Sequence, residues 1–275
     1  MHGCGNDYIY VNCLAGELPE PGKISAAMSP RHLSVGADGL VMICASDVAD
    51  AKMRMFNLDG SEGKMCGNAI RCVGKYLYDN GIIEKKELSI ETLSGIKQLT
   101  LNVQDGKVRY VTVDMGKADF RAVEIPVIAD GETVIDEPLT VDGGDYRITC
   151  VSMGNPHAVT FLPEVDSLPL EKIGPIFETH AIFPERVNTE FVRVINRQTL
   201  QMRVWERGSG ETYACGTGAC ATVAAAVKNG ICDFGKPVTV HLIGGDLTIT
   251  VEEDYRILMA GSATKVYDGV YEYEE

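Results

Sequence analysis

Several runs of this chain have the alternating or continuously apolar pattern of β-strands, and the pattern becomes helical in two places. In the first, four apolar residues follow the i, i+4, i+7, i+11 spacing of one helix face: Cys66, Ile70, Val73 and Leu77. Asn80-Gly81 is predicted to end this helix through a left-handed cap. A second helix is predicted over residues 215–228, closed by Asn229-Gly230. Its residues 219–227 are small on nearly every side, which suits a helix enclosed by a curled sheet.

Strands are predicted on both sides of each helix, because runs of alternating or continuously apolar residues are bounded there by Gly, Asn and Asp. In the first half these runs cover residues 8–11, 39–44, 52–56, 88–91, 98–103 and 108–114. In the second half they cover residues 151–161, 190–195, 200–205, 238–242 and 247–251. Each half therefore predicts a mixed, mostly antiparallel sheet with one principal buried helix.

The two halves also correspond residue by residue. A shift of 149 residues, the difference between positions 66 and 215, aligns them without a gap. The matches include Gly5-Asn6 with Gly154-Asn155, Met53-Arg54 with Met202-Arg203, Glu62 with Glu211, and Cys66-Gly67 with Cys215-Gly216. We therefore predict an α+β protein of two pseudo-symmetric domains, each a mixed sheet curled around a central helix. The domains are placed at residues 1–118 and 119–262, with residues 263–275 as an alternative addition to the first.

Composition limits the classes of partner. A net charge of −14 argues against nucleic acid or an anionic membrane surface. Residues 1–15 lack a basic start followed by an apolar core, so no secretory signal is expected, and no apolar run is long enough to span a bilayer. Nine cysteines without a secretory signal favour reduced thiols in a cytoplasmic protein over a disulfide framework.

The repeated Cys-Gly at each helix start is the strongest candidate for chemistry. A thiolate can remove the α-hydrogen of an amino acid from one face while a neutral thiol supplies a hydrogen to the other, so two opposed thiols suit inversion of a carbon centre. The helix starts add N–H groups that can hold a carboxylate as charge spreads onto it. The alternative is that both cysteines are buried packing residues inherited together. No site for pyridoxal phosphate is evident, so no cofactor is expected.

Other polar residues are individually weaker candidates. His157 either orients a substrate group or is a loop histidine with satisfied hydrogen bonds, and Glu206-Arg207 is either functional or a solvated ion pair. Cys66 with Cys72, and Cys215 with Cys220, do not have the Cys-x-x-Cys spacing of a zinc or thioredoxin-like site, so no metal is expected.

At several motifs the sequence resembles the diaminopimelate epimerase family, and the resemblance spans almost the whole chain. The motifs are Met1-His2-Gly3-Cys4-Gly5-Asn6-Asp7, Asn57-Leu58-Asp59-Gly60-Ser61-Glu62, Met65-Cys66-Gly67-Asn68, Gly154-Asn155-Pro156-His157, Pro184-Glu185-Arg186-Val187-Asn188, Glu206-Arg207-Gly208-Ser209-Gly210-Glu211-Thr212 and Ala214-Cys215-Gly216-Thr217-Gly218-Ala219-Cys220.

The resemblance implies a function and a set of roles. It implies cofactor-independent interconversion of LL- and meso-diaminopimelate in lysine and peptidoglycan precursor biosynthesis, usually by a homodimer. Cys66 and Cys215 would be the two acid/base residues, with His157 and Glu206 orienting the reacting centre. The implied substrate-binding residues are Asn6, Asn57, Gly67, Asn68, Asn155, Asn188, Glu206, Arg207, Gly216 and Thr217.

Two departures from the family pattern are present. Many members have Gln after the Asp of the early Gly-x-Asp loop, where this chain has Gly39. The sequence also begins directly at its first motif, and we expect weaker pairing of the first strand as a result.

Three alternative functions stay open at this point. A proline or hydroxyproline racemase of the same fold would act on a substrate with one carboxylate and would not need a distal set such as Arg207 with several asparagines. A thiol–disulfide redox protein and a catalytically silent amino-acid-binding module are the other two.

Overall fold

The computed structural model describes residues 1–273, which form two compact units. The first comprises residues 1–113 and 260–273, and the second comprises residues 114–259. The domain limits predicted from the sequence, 1–118 and 119–262, lie a few residues further along and stay a prediction. Residues 274 and 275 of the predicted return segment lie outside the described residues.

The first unit is a mixed sheet with two principal helices. Its elements are β1 (His2–Gly3), β2 (Asn6–Asp7), β3 (Ile9–Cys13), α1 (Pro21–Met28), β4 (Gly39–Cys44), β5 (Ala51–Asn57), β6 (Glu62–Gly63), α2 (Gly67–Asp79), β7 (Glu87–Thr92), β8 (Gly95–Gln104) and β9 (Lys107–Lys117). The sheet order is β9-β8-β7-β5-β4-β3, with β6 paired to β5 and β1–β2 as a separate ribbon. The pairs β3–β4 and β5–β7 are parallel. Helix α2 packs against β8 and the β1–β2 ribbon.

The second unit repeats this plan. Its elements are a 3₁₀ helix (Ala122–Glu124), β10 (Glu137–Val141), β11 (Gly144–Ser152), β12 (Pro156–Phe161), α3 (Leu170–Glu178), β13 (Asn188–Asn196), β14 (Thr199–Glu206), β15 (Gly210–Glu211), α4 (Gly216–Lys228), β16 (Val238–Leu242), β17 (Gly245–Val251) and β18 (Arg256–Ser262). The order is β10-β11-β12-β13-β14-β16-β17-β18, with β15 paired to β14; residues 260–262 of β18 belong to the first unit and residues 114–117 of β9 to the second. Here β12–β13 and β14–β16 are the parallel pairs.

The sequence repeat is also a repeat of hydrogen-bond register. Ile9 on β3 pairs with Leu40 on β4, and the residues 149 positions later, Ala158 and Thr189, pair with each other. Helices α2 and α4 each have 13 residues and begin one residue after the paired cysteines. The predicted fold class, two related α+β halves with mixed, mostly antiparallel sheets, is therefore confirmed.

Helix α4 lies inside the curved sheet of the second unit. It contacts β11, β12, β13 and β17, and 11 of its 13 residues are buried. Because strands approach on several sides, only small side chains such as those of Ala219, Ala224 and Ala225 fit there. The predicted ends of both helices are confirmed, since Asn80 and Asn229 are the C-caps and Gly81 and Gly230 follow with positive φ.

The sequence pattern missed helices α1 and α3, which are short and contain Gly and Pro; Pro is favoured in the first turn, as in α1, and disfavoured in a helix interior, as in α3. Helix α1 begins with Pro21-Gly22, and α3 contains Gly174-Pro175. Packing explains the glycine in α3, since a Cβ on Gly174 would lie 2.3 Å from the Trp205 ring. Tertiary contact therefore selects a sequence that local propensity disfavours.

The single strand predicted over residues 151–161 is wrong. Strand β11 ends at Ser152 and β12 begins at Pro156, and the two pair in antiparallel fashion. Gly154 has a φ of +88°, which turns the chain between them. This turn places Asn155 and His157 at the end of the sheet from which α4 begins.

Candidate active site

Cys66 is the N-cap of α2. Its backbone is extended, with φ −136° and ψ 120°, and its Sγ accepts a hydrogen bond from the Ala69 N–H at 3.5 Å. The half-buried thiol also donates to Asn6 Oδ1 at 3.3 Å. The sulfur therefore lies over the first turn of α2, where the N–H groups of the helix start favour negative charge.

Two of the predicted binding residues lie beside this thiol. Asn68 Nδ2 donates to Asn6 Oδ1 at 3.4 Å, so Asn6, Cys66 and Asn68 form one hydrogen-bonded group. Asn6 Nδ2 in turn donates to Asp38 Oδ2 at 2.7 Å. Because a carboxylate only accepts hydrogen bonds, this contact fixes the amide with its oxygen toward Cys66.

Arg71 is a functional candidate that the sequence analysis missed. It is fully buried and donates to the Gly67 carbonyl at 3.1 Å, to Asn68 Oδ1 at 2.9 Å and to the Ser262 carbonyl at 3.2 Å. These contacts hold the first turn of α2 and orient the Asn68 amide. An isolated arginine on a helix is usually exposed, so the only available signal was its position in the otherwise apolar segment 69–73.

Asn57 lies at the end of β5, in the turn that precedes β6. Its Nδ2 donates to Ser61 Oγ at 3.0 Å. In the described part of the chain this amide belongs to the turn, separate from the hydrogen bonds that join Asn6, Cys66 and Asn68.

Gly39, one of the two departures from the family pattern that the sequence resembles, lies in the tightly packed start of β4. A Cβ on this residue would lie 2.0 Å from the carbonyl oxygen of Phe56 and 3.0 Å from the Tyr8 ring. The backbone as folded therefore excludes any side chain there, and the departure is built into the β4–β5 pairing.

Cys215 occupies the equivalent place at the start of α4. It is an extended N-cap with φ −111° and ψ 110°, and its Sγ accepts from the Gly218 N–H at 3.3 Å. Thr217 Oγ1 lies 3.5 Å from the same sulfur. The residue is only 5% exposed, so its thiol is held in a dry environment.

Two acidic groups lie close to Cys215. The Glu206 carboxylate acts on the Cys215 thiol through its charge, and it accepts a hydrogen bond from Thr212 Oγ1 at 2.5 Å. Burial first, and then the negative charges of Glu206 and Glu190, raise the pKa of the Cys215 thiol. Burial also raises the pKa of Glu206, against the opposing effect of the hydrogen bond from Thr212. This environment favours a protonated sulfur.

His157 is fully buried beside these groups. Its Nδ1 lies 2.7 Å from Glu190 Oε1, and its Nε2 lies 3.0 Å from Asn155 Oδ1. Asn155 Nδ2 donates to Thr217 Oγ1 at 3.4 Å, which extends the series of contacts to the start of α4. The structure thus brings His157, Asn155, Thr217 and Cys215 together, and their roles in one site stay a prediction.

Glu190 is the second residue that the sequence analysis missed. It lies on β13 two residues after Asn188 and is fully buried. The available signal was a lone acidic residue inside a strand that is otherwise uncharged from residue 188 to residue 192. Such a residue needs a partner on another element, and a single sequence does not show that partner.

Asn188 and Arg207 are joined through the backbone. Asn188 Nδ2 donates to the Pro156 carbonyl at 2.7 Å, and its Oδ1 accepts the Arg207 N–H at 2.9 Å. The Arg207 guanidinium donates to the Glu185 carbonyl at 2.9 Å. In this arrangement Asn188 ties the start of β12 to the end of β14, and the guanidinium lies beside the loop before β13.

Among residues 1–273, no helix has both the length and the apolar composition that crossing a membrane requires. Within the same residues, no group of three or more His, Cys, Asp or Glu side chains is arranged to hold a metal ion.

The fold is shared with solved structures of other proteins. The chain is similar to the crystal structure of a probable proline racemase from Agrobacterium radiobacter K84 with bound carbonate, with a TM-score of 0.69 over 95% of this chain and 88% of that one. The sequences are only 16% identical, so this likeness shows a shared fold.

The family follows from sequence comparison. A protein-family model described as diaminopimelate epimerase matches residues 1–121 and 149–266. A diaminopimelate epimerase of Acetivibrio thermocellus is 54% identical over 276 residues, covering 100% of this chain and 98% of that protein. A diaminopimelate epimerase of Methanococcus maripaludis is 55% identical over 270 residues, covering 98% of this chain and 97% of that protein. The chain belongs to the diaminopimelate epimerase family.

Proposed function

We propose that this protein interconverts LL- and meso-2,6-diaminopimelate without a cofactor, in the synthesis of lysine and of peptidoglycan precursors, and that Cys66 and Cys215 are its two acid/base residues. The observation that supports this most directly is the repeated site. This chain belongs to the diaminopimelate epimerase family, and each of its two units has a cysteine as the N-cap of its buried helix. A mechanism that inverts one carbon needs two such groups.

The proposed reaction moves one proton in and one proton out. A thiolate removes the α-hydrogen as a proton. The electron pair of the broken C–H bond stays on the substrate as a carbanionic intermediate and spreads into its carboxylate. The other thiol then donates its proton to the opposite face of the same carbon. The two sulfurs exchange protonation states, so the reverse reaction uses them in the opposite roles.

The helix starts supply the stabilisation that a carbanion requires. We assign the reacting carboxylate to the N–H groups at Gly67-Asn68 and Gly216-Thr217, where aligned peptide dipoles favour negative charge. His157 and Glu206 are assigned to orient the reacting centre. The other amino and carboxylate groups are assigned to Asn6, Asn57, Asn155, Asn188, Glu206 and Arg207.

Isotope exchange tests the reaction and the two cysteines together. The protein is incubated with LL-diaminopimelate in deuterated water, without added cofactor, and deuterium at the α-carbon is followed by mass spectrometry. We expect incorporation by the native chain and a loss of turnover of about 10²-fold or more in Cys66→Ser and in Cys215→Ser.

Cys232→Ser is the matched control, since this buried cysteine lies outside both helix starts. It should leave the exchange rate within about twofold of the native rate. Full activity in both test variants, or turnover only with added pyridoxal phosphate, would refute the proposed mechanism.

The alternatives are separated by the same assay. A proline racemase would exchange the α-hydrogen of proline and leave diaminopimelate unlabelled, and the fold similarity alone does not favour that substrate. A redox protein or a silent binding module would label neither. The homodimer and the cytoplasmic location implied by the family resemblance stay predictions.

A further inference from the structure

The buried pair of His157 and Glu190 is the feature that the proposed mechanism leaves unexplained. Both residues are fully buried, and Nδ1 of the ring lies 2.7 Å from Glu190 Oε1. Burying a carboxylate is costly unless it gains strong hydrogen bonds or an opposite charge. Glu190 Oε2 has no hydrogen-bond partner in the described structure, so a second cost is added. A buried carboxylate with this cost is expected to have a function beyond packing, and the residues around Glu190 indicate that function.

The carboxylate of Glu190 also touches the first turn of α4. A Cβ on Gly218 would lie 2.6 Å from Glu190 Oε1 and 3.2 Å from Cys215 Sγ, so only glycine leaves room for both groups. The same oxygen that meets the His157 ring therefore lies against the helix turn that Cys215 caps. Glu190 is placed to act on the ring and on the thiol at once.

The equivalent positions of the first half contain no such pair. With the 149-residue shift, Glu190 corresponds to Val41 and His157 corresponds to Tyr8. Val41 lies at the same place in its sheet as Glu190, because β3–β4 and β12–β13 share one register. The fold itself accepts an apolar residue at this position, so the acidic residue is not required by the fold and has a function only in the second half.

We propose that Glu190 is a positioning residue for the epimerase reaction: it holds the His157 ring by accepting from Nδ1, and its charged oxygen lies against the helix turn that Cys215 caps. This rests on the proposed function. With Nδ1 held, Nε2 is directed at Asn155, and through Asn155 at Thr217, where the substrate carboxylate is assigned. His157 then stays oriented without contacting solvent.

The titratable groups that face this carboxylate come from four elements. They are Cys150 on β11, His157 on β12, Glu206 on β14 and Cys215 before α4. Burial and then Glu190 raise the pKa of Cys150, while for Cys215 the effects of burial and of Glu206 come first and that of Glu190 adds to them. Removing the charge of Glu190 therefore lowers the pKa of the Cys215 thiol without abolishing the effect of Glu206.

Two variants separate orientation from charge. Glu190→Gln keeps the length and an acceptor oxygen but removes the charge, and Glu190→Asp keeps the charge but shortens the reach to Nδ1. The matched control is Asp246→Asn, since Asp246 Oδ1 also lies 2.7 Å from a histidine Nδ1, that of His241, but the pair is exposed. Native folding of each variant is checked by circular dichroism.

The first readout is the rate of Cys215 alkylation by iodoacetamide as a function of pH, followed by mass spectrometry of the Cys215 peptide. In Glu190→Gln we expect the midpoint to move to lower pH, and in Glu190→Asp and Asp246→Asn we expect it to stay close to the native value. A residue with only a structural role would not move this midpoint in the charge-neutral variant alone.

The second readout is steady-state turnover of diaminopimelate. We expect kcat to fall at least about tenfold in both Glu190 variants with KM changed less than about threefold, because misorienting the His157 ring, which positions the reacting centre, affects the transition state more than binding. Asp246→Asn should retain native kcat.

Several results would overturn the proposal. Native kcat in folded Glu190→Gln would do so, and so would an unchanged alkylation midpoint in that variant. If Glu190→Gln does not fold, native kcat in Glu190→Asp decides against it. Failure of the native chain to label diaminopimelate instead refutes the proposed function, while the alkylation experiment needs no substrate and still tests the charge of Glu190.

Discussion

At the scale of single residues, orientation of side-chain amides is the recurring device. Asn6 can place its oxygen toward Cys66 because its nitrogen is held by Asp38 at 2.7 Å. Asp38 is itself fixed by the Asp7 N–H at 3.1 Å and by Arg31 at 3.0 Å. Asp38, one contact beyond Asn6, thus decides which atom of the Asn6 amide faces the Cys66 thiol.

Replacing Asp38 should weaken catalysis through this contact. In Asp38→Asn the partner of Asn6 can also donate, so the Asn6 amide loses its fixed orientation, and we expect kcat to fall about 10- to 100-fold. Asp7→Asn is the matched control, because Asp7 also binds Arg31 but its carboxylate does not contact the Asn6 side chain. Steady-state kinetics of both variants measures the difference, and equal losses in the two would contradict this role.

The sequence alone predicted the residues whose type and repeat position indicate chemistry. Cys66 and Cys215 were found because they coincide under the 149-residue shift. Arg71, Asp38 and Glu190 were not found, because their importance depends on partners brought close by folding. Single-sequence patterns report periodicity and local chemistry, and they contain no direct record of such long-range contacts.

At the scale of elements, space inside the second sheet controls the composition of α4. The helix contacts strands on several sides, and residues 219–226 are completely buried. The sequence predicted α4 and α2 well, since helix caps and apolar spacing agree with the final structure there. It failed at α3, where the ring of Trp205 selects Gly174 within a short helix that also contains Pro175.

A larger side chain on α4 should therefore destabilise the protein. We expect Ala224→Leu to lower the free energy of unfolding by about 1–3 kcal/mol or more, because overpacking forces strands or rotamers to shift. Ala26→Leu is the matched control, since Ala26 is an exposed residue of helix α1. Urea unfolding followed by circular dichroism compares the two, and equal stability of both variants would show that the space around α4 is not limiting.

At the scale of the whole molecule, buried thiols link stability to pH. Burial, the largest cause in each case, raises the pKa of Cys150 and Cys215 and raises that of Cys44 to about 12. Thiols of the unfolded chain ionise near pH 8.5. Above that pH the unfolded state loses protons that the folded state retains, so the free energy of unfolding falls as pH rises.

The melting temperature should accordingly decrease between pH 8 and pH 10. Each such thiol contributes a loss of up to about 1.4 kcal/mol per pH unit until its folded pKa is reached. Cys150→Val removes one contribution, so its melting temperature should fall less steeply with pH than that of the native chain. Ile148→Val, on the same strand and equally buried, should lower the melting temperature by a similar amount at every pH. Parallel pH curves for Cys150→Val and the native chain would rule out this explanation.

The shared register of β3–β4 and β12–β13 has an evolutionary consequence. A gene segment that duplicates and then neither gains nor loses a codon between two paired strands leaves both copies with the same main-chain scaffold. One copy can then be specialised by a change of side chains alone, and the valine at position 41 and the glutamate at position 190 show such a difference. Chimeric genes that swap these strands between the copies should accordingly preserve the scaffold while transferring its chemistry.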